Sequence, residues 1–211
     1  MKSGMRSWSR TLSVLAFTSL GAGLAPPESS ALLVEDFESY ADSAALQAAW
    51  FDGAATPVQL LESGTVHGGS QAMSFAYDHS TDAFNSVILD LGVAQDWSAY
   101  DTFSLWVYGN PSNSSESVGM ALSDGVMVLG QSIAPAMTQI DAWTRLDFDL
   151  SGYSSLASVL WIGVGTGAED GATGTLFLDD FSVLAVPEPQ TGLLVAAGLL
   201  VLAIRRRRAR A

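Results

Sequence analysis

Cysteine is absent from the 211 residues, and basic side chains are scarce between the two ends of the chain. The lack of cysteine excludes disulfides, zinc–thiolate centres, iron–sulfur clusters and a cysteine nucleophile. Of the nine Lys and Arg residues, only Arg145 lies within residues 32–185, which hold 20 of the 22 acidic residues. This segment therefore carries a net charge of about −19. Such a charge excludes nucleic-acid binding and disfavours contact with anionic lipid headgroups.

Motifs for catalysis are also missing. The only two histidines, His67 and His79, have neither metal-ligand spacing nor a nucleophile motif beside them. His67 opens a His-Gly-Gly run, but the chain has no Gly-x-Ser-x-Gly elbow, which argues against hydrolase chemistry by that route. Gly163, Gly165 and Gly167 do not match a dinucleotide fingerprint, because no helix follows them, and we interpret them as a turn.

Long apolar runs are lacking too, and the two short ones lie at the ends of the chain. Residues 1–31 read as a secretory signal peptide, with Lys2, Arg6 and Arg10 before an apolar stretch and small residues before a cut after Ala31. At the other end, uncharged residues 192–204 are followed by four arginines. A helix over about 191–204 reaches only about 20 Å at ~1.5 Å per residue, which makes a marginal membrane span held in the cytoplasm at its arginine end.

The tail as a whole resembles a known sorting signal. Pro187, Glu188 and Pro189 precede the apolar stretch, and Arg205, Arg206, Arg207 and Arg208 follow it. In this order the three parts, spanning residues 186–211, resemble the PEP-CTERM sorting signal of Gram-negative bacteria. The alternative is an ordinary C-terminal anchor, which would have no need of the two prolines. The resemblance implies processing by exosortase, a transient inner-membrane anchor, and release to the cell surface or the extracellular matrix of biofilm-forming, exopolysaccharide-producing bacteria.

Residues 32–185 have the length of one domain and the pattern of an all-β protein. Nine or ten short stretches alternate between apolar and polar residues, and turn signals separate them. The clearest places Phe103, Leu105 and Val107 on one face of a strand, and Trp106 and Tyr108 on the other. Residues 42–50 form the one convincing helix, capped by Asp42 or Ser43. The pattern predicts an antiparallel β-sandwich, with a jelly roll as the favoured topology.

Several phrases within this domain resemble the galactose-binding-like jelly rolls of non-catalytic carbohydrate-binding modules. They are residues 35–38, 103–109, 143–148 and 178–181. The resemblance implies a structural calcium ion between the first and last strands. Its ligands, carried over by position, would be drawn from Asp36, Glu38, Gly69, Ser70, Asp179 and Asp180. Calcium prefers six to eight carboxylate and carbonyl oxygens, and a bound cation would relieve the negative charge.

Aromatic side chains are the candidates for glycan contact, because a flat apolar ring with a polar edge stacks on sugar. The candidate residues are Trp106, Tyr108, Trp161, Tyr77 and Trp50, with Trp97 as a further possibility. For any single one of them the alternative is a place in the core, since large aromatic side chains are usually buried.

Taken together, the sequence predicts an exported, non-catalytic surface or matrix protein that associates with extracellular polysaccharide. A purely structural protein stabilised by calcium is the first alternative. A glycosidase that uses two of the many carboxylates is the second, and it would need two of them about 5 to 10 Å apart in a cleft.

Overall fold

A computed structural model of the protein describes residues 31–54, 58–81, 83–153, 155–167 and 171–185. The predicted signal peptide up to Ser30 and the predicted sorting tail lie outside these ranges. Within them, no helix has the length and hydropathy needed to cross a membrane.

Eleven strands and one helix make up the described residues, and antiparallel pairing joins all of the strands. The helix α1 is Ser43–Ala49. The strands β1 to β11 are Ala31–Glu35, Trp50–Ala54, Val58–Glu62, Ala72–Asp78, Phe84–Gln95, Thr102–Tyr108, Ser117–Ser123, Val128–Ala136, Thr144–Asp149, Val159–Gly167 and Thr173–Leu184.

The strands form two sheets. The six-stranded sheet has the order β3-β4-β11-β6-β9, with β1 also paired to β11. The five-stranded sheet has the order β2-β5-β10-β7-β8. The β1–β11 pairing brings the two ends of the domain together, as the sequence predicts for a sandwich closed by its first and last strands.

The helix begins where the sequence predicts. Oδ1 of Asp42 accepts a hydrogen bond of 2.9 Å from the Ala45 N–H, which satisfies one of the free donors of the first turn. Leu46 is buried, but the helix ends at Ala49 and Trp50 already has extended backbone, with φ −101° and ψ 100°. Trp50 therefore opens β2 instead of closing the helix.

Four aromatic rings fill the centre of the core between the sheets. The Phe181 ring meets those of Phe37, Trp50 and Phe103 edge-on, at centroid distances of 5.6, 5.4 and 5.8 Å. All four side chains are fully buried. Edge-to-face pairs of this kind add to the hydrophobic stabilisation of a core.

Two candidate glycan-binding residues belong to this interior, so their prediction as surface platforms is wrong. Trp50 is fully buried, because it leaves the helix facing the opposite sheet. Tyr77 lies on the inner face of β4, and its hydroxyl donates to the Ser114 carbonyl oxygen. Trp97, which the sequence places in a turn, is also fully buried and stacks on Phe103 at 6.2 Å.

One hairpin also differs from its prediction. Asp124 and Gly125 are predicted as a two-residue turn with the next strand starting at Val126, but β8 starts at Val128. Oδ1 of Asp124 accepts hydrogen bonds from the N–H groups of Val126 and Met127, at 2.9 and 2.8 Å. These bonds hold residues 124–127 in a longer turn and leave Val126 exposed.

His79 and Glu116 lie buried in the interior of the domain. Both side chains are fully buried, with His79 Nδ1 3.9 Å from Glu116 Oε1. His79 Nε2 is 3.2 Å from the Thr166 hydroxyl.

Candidate functional site

The five-stranded sheet has one face on the core and one face open. In the register of its central strands, Ile88 of β5 and Ala121 of β7 flank Gly163 of β10. One step further along, Ser86 and Gly119 flank Gly165 in the same way. Residues two apart on a strand share a face, so all of these lie on the open side. Small residues at its centre give this face a sunken floor.

The floor belongs to a groove that crosses β5, β10, β7 and β8. Two adjoining depressions of about 390 and 280 Å³ share Ile88, Ala121 and Gly163, and a third of about 250 Å³ continues past Gly119 to Gly167. We call this continuous surface the sheet groove. Its other described lining residues are Phe84, Ser86, Met120, Leu122, Ser123, Gly125, Val126, Met127, Val128, Gln131, Ile133, Trp161, Gly165, Ala83 and Ser117.

Aromatic rings stand in or beside the sheet groove. Trp161 lines it and meets Phe51 of β2 edge-on at a centroid distance of 6.1 Å. Phe51 is 38% exposed, and Phe84, at the far end, is 44% exposed. The indole N–H of Trp161 is buried and has no hydrogen-bond partner among the described residues. The part of the ring that is exposed in the groove therefore consists of carbon atoms.

The two central glycines have different reasons to be glycine. A Cβ on Gly165 would collide with the carbonyl oxygen of Asn85, so the packing of β5 on β10 requires glycine there. A Cβ on Gly163 would meet nothing closer than 3.8 Å, which is ordinary van der Waals contact. The fold therefore tolerates a side chain at Gly163, and its absence leaves the groove open.

These glycines also correct the sequence interpretation, which takes Gly163, Gly165 and Gly167 as a turn. All three lie within β10. Spaced two apart, they share one strand face with Trp161 and leave that face without side chains from Gly163 to Gly167. The spacing is the sequence signal of the groove, but it is visible only once the segment is known to be a strand.

Charge is absent from the sheet groove. None of its described lining residues is acidic or basic, although the domain as a whole is strongly acidic. Outside this lining, Asp90 lies opposite Trp161 in the register, at one end of the groove. Its Oδ1 accepts a hydrogen bond of 2.7 Å from the Gly92 N–H.

The predicted pair Trp106 and Tyr108 lies on the outer face of the six-stranded sheet. The His67 ring stacks on Trp106, with centroids 3.8 Å apart and an interplanar angle of 17°. Trp143 packs edge-on against Tyr108 at 5.7 Å, and Phe177 does so at 6.0 Å. Neighbouring rings thus cover Trp106 and Tyr108, and both are half-buried. This outer aromatic cluster is a second candidate surface, and sequence reasoning missed Trp143 and Phe177 in it.

Carboxylates at the joined ends of the domain hold the turn of residues 67–71. Glu38 accepts hydrogen bonds from the Ser70 N–H at 2.6 Å, the Ser70 hydroxyl at 2.7 Å and the Gln71 N–H at 2.8 Å. Asp179 is buried and accepts from the N–H groups of His67 and Gly68 at 2.8 and 3.2 Å. Burial raises the pKa of Asp179, because it penalises the charged form. Asp180 instead contacts His67 Nδ1 at 2.6 Å.

The predicted calcium ligands lie together around residues 67–71, but backbone N–H groups of these residues point toward the carboxylates. Calcium needs oxygen ligands around it, and among the described residues no three acidic or histidine side chains converge closely enough to hold a metal ion. Asp36 uses Oδ1 to accept from the Glu38 N–H at 3.1 Å. Several of the candidate carboxylate oxygens thus accept N–H donors, and calcium stays a prediction from the sequence.

Comparison with known proteins gives two family matches. Carbohydrate binding domain (family 11) matches residues 24–158, well over half of the chain. The chain belongs to this family. The PEP-CTERM protein-sorting motif matches residues 185–208 and indicates export and sorting to the cell surface.

Solved structures agree on the fold. The family 11 carbohydrate-binding module of the cellulosomal cellulase Lic26A-Cel5E of Clostridium thermocellum has a TM-score of 0.56 and 16% identity, over 76% of this chain and 97% of that one. The Clostridium thermocellum module in complex with a β-1,3-1,4-mixed-linked tetrasaccharide has a TM-score of 0.55 and 17% identity, over 75% and 98%. These matches confirm the predicted jelly-roll sandwich.

A curated relative is much longer than this chain. Mannan endo-1,4-beta-mannosidase of Bifidobacterium adolescentis is 31% identical over 117 residues, which are 56% of this chain. The match spans 11% of that enzyme.

Proposed function

We propose that this protein is an exported, non-catalytic module that binds neutral extracellular polysaccharide along the sheet groove. The main observation in support of the proposal is the sheet groove itself. It crosses four strands and is open along its length, with Trp161 and Phe51 at one end and Phe84 at the other. A trough open along its length admits a polymer chain. Membership of a carbohydrate-binding family supports the same ligand class.

The charge distribution favours a neutral polymer. An acidic domain repels a polyanion, and the lining offers no basic side chain to pair with carboxylate or sulfate. An uncharged glycan meets neither obstacle.

The same lining supports a non-catalytic role. Glycoside hydrolysis needs two carboxyl groups about 5 to 10 Å apart across the scissile bond. None of the described residues that line the sheet groove carries one. Similarity to a mannosidase over a small part of that enzyme is compatible with a shared binding module.

The C-terminal sorting signal indicates where in the cell this binding would take place. We propose that exosortase recognises the C-terminal signal while its helix anchors the chain in the inner membrane, and that processing releases the module to the cell surface or matrix. There, many weakly binding copies would hold a polymer by avidity.

Affinity electrophoresis of the purified full-length protein in gels that contain neutral polysaccharides tests the binding proposal. We expect retardation that Gly163→Val abolishes, because the new side chain fills the groove floor from a Cβ position that has ordinary van der Waals contacts. Gly152→Val is the matched control, since Gly152 lies in a turn outside the groove lining and a Cβ there meets nothing within 4 Å.

A second pair of variants separates the two candidate surfaces. Trp161→Ala should weaken retardation, and Trp106→Ala should leave it unchanged. The reverse result would move the binding site to the outer aromatic cluster. A wild-type protein that no neutral glycan retards would refute the proposal.

A further inference from the structure

The lining of the sheet groove is poor in hydrogen-bonding side chains. Ile88, Ala121, Met127, Val128 and Ile133 are among its many apolar members. The described polar side chains that line it are Ser86, Ser117, Ser123 and Gln131.

Two of these polar groups are poorly placed to serve a ligand. The Ser123 hydroxyl already donates to the Met127 carbonyl oxygen at 2.8 Å and accepts from the Gly125 N–H at 3.1 Å. Ser86 is 8% exposed. Exposed Gln131, on the edge strand, and half-buried Ser117 are the side chains best placed to bond a ligand hydroxyl.

This chemistry conflicts with an unsubstituted sugar. Every ring of a plain polysaccharide carries several hydroxyls, and a hydroxyl buried without a hydrogen-bond partner is destabilising. An ester changes the balance, because acylation removes the hydroxyl donor and adds apolar surface. Burial of that apolar surface in the groove is favourable.

Resting on the proposed function, we propose that the sheet groove selects O-acylated neutral polysaccharides. The acyl groups would lie over Gly163, where the floor has no side chain, between Ile88 and Ala121. The rings of Trp161 and Phe84 would contact sugar faces on either side. An O-acyl ester is uncharged, so it suits a groove without basic residues in an acidic domain.

The test compares one polymer in two states. Acetylated glucomannan and the same batch deacetylated with mild alkali have the same backbone and differ in their esters. Full-length protein is run in affinity gels over a concentration series of each. We expect at least about tenfold tighter binding of the acetylated form, which corresponds to about 1.4 kcal/mol.

Variants assign the preference to the groove. Gly163→Ala adds one methyl group that the fold accommodates, and it should lower the acetylated-to-deacetylated ratio by occupying the acyl position. Ile133→Thr, at a side chain 71% exposed on the edge strand, should lower the same ratio without unfolding the domain. Gly152→Ala should leave the ratio unchanged.

The possible failures are distinguishable. Equal retardation by both polymers, or tighter binding of the deacetylated one, overturns acyl selection and leaves polysaccharide binding intact. A preference for the acetylated form that survives Gly163→Ala and Ile133→Thr also overturns the assignment to the groove. Retardation by neither polymer, nor by any other neutral glycan, overturns the proposed function as well.

Discussion

Truncation of Phe181 to alanine is the sharpest test of the sandwich core. The Phe181 side chain lies on β11 of the six-stranded sheet and is fully buried. It contacts three other buried rings edge-on, including Trp50 of the opposite sheet. Its removal leaves a cavity that neighbours on both sheets would have to fill.

The expected loss of stability is large. Burial and cavity terms for a core Phe→Ala change amount to about 3–5 kcal/mol. Each edge-to-face pair adds about 0.5–1.5 kcal/mol beyond area burial. Three such pairs place Phe181→Ala near the top of the range, at about 5 kcal/mol, which approaches the whole stability of a small domain at about 5–15 kcal/mol.

Urea unfolding followed by tryptophan fluorescence measures this loss. With a slope of about 2 kcal/mol per molar urea, the midpoint should fall by roughly 2.5 M. Phe84→Ala is the matched control, because Phe84 is 44% exposed on the sheet groove and should lose about 1 kcal/mol or less. A midpoint for Phe181→Ala within about 0.5 M of the wild type would refute this description of the core.

Three further predictions concern the ends of the domain and the tail. Hydrogen bonds from the Ser70 hydroxyl, the Ser70 N–H and the Gln71 N–H lower the pKa of the Glu38 carboxyl group. The stability that these bonds provide is present above the ordinary glutamate pKa of 4.5, and it is lost as the pH falls through the lowered pKa of the folded state. The difference in melting temperature between wild type and Glu38→Gln should therefore shrink from pH 7 to pH 3, and a constant difference would contradict this. Calcium binding remains a proposal from the sequence. It predicts that a chelator lowers the melting temperature and that the Asp179→Asn, Asp180→Asn double variant loses this response. Identical melting curves with and without chelator would rule out the proposed calcium ion. Replacement of Pro187, Glu188 and Pro189 by alanine should retain the protein in the inner membrane, and release at the normal rate would show that the tail is not a processing signal.

Local alternation is what made the fold predictable from sequence. Phe103, Leu105 and Val107 are buried and Trp106 and Tyr108 face outward, as the period of two predicts. The many short stretches that alternate in this way predict an antiparallel β-sandwich. The hairpin after Ser123 was predicted less well, because side-chain hydrogen bonds from Asp124 decide where β8 begins.

The site depends on pairing between distant strands, which the pattern within one strand does not contain. Alternation tells which residues share a face, but it does not tell which face another sheet covers. The sequence predicts both Trp50 and Trp161 as glycan platforms, but Trp50 lies in the core and Trp161 lines the groove. Gly163 became informative only when β5 and β7 were known to flank it.

An NMR titration of the full-length protein with a neutral polysaccharide that retards it tests the central claim most directly. We expect the largest changes in amide and indole signals in the sheet groove, at Ala121, Trp161 and Gly163. Signals at Trp106 and Tyr108 on the opposite sheet should stay in place. Changes concentrated at Trp106 and Tyr108, with the groove signals unmoved, would contradict binding in the sheet groove and place the ligand on the outer aromatic cluster.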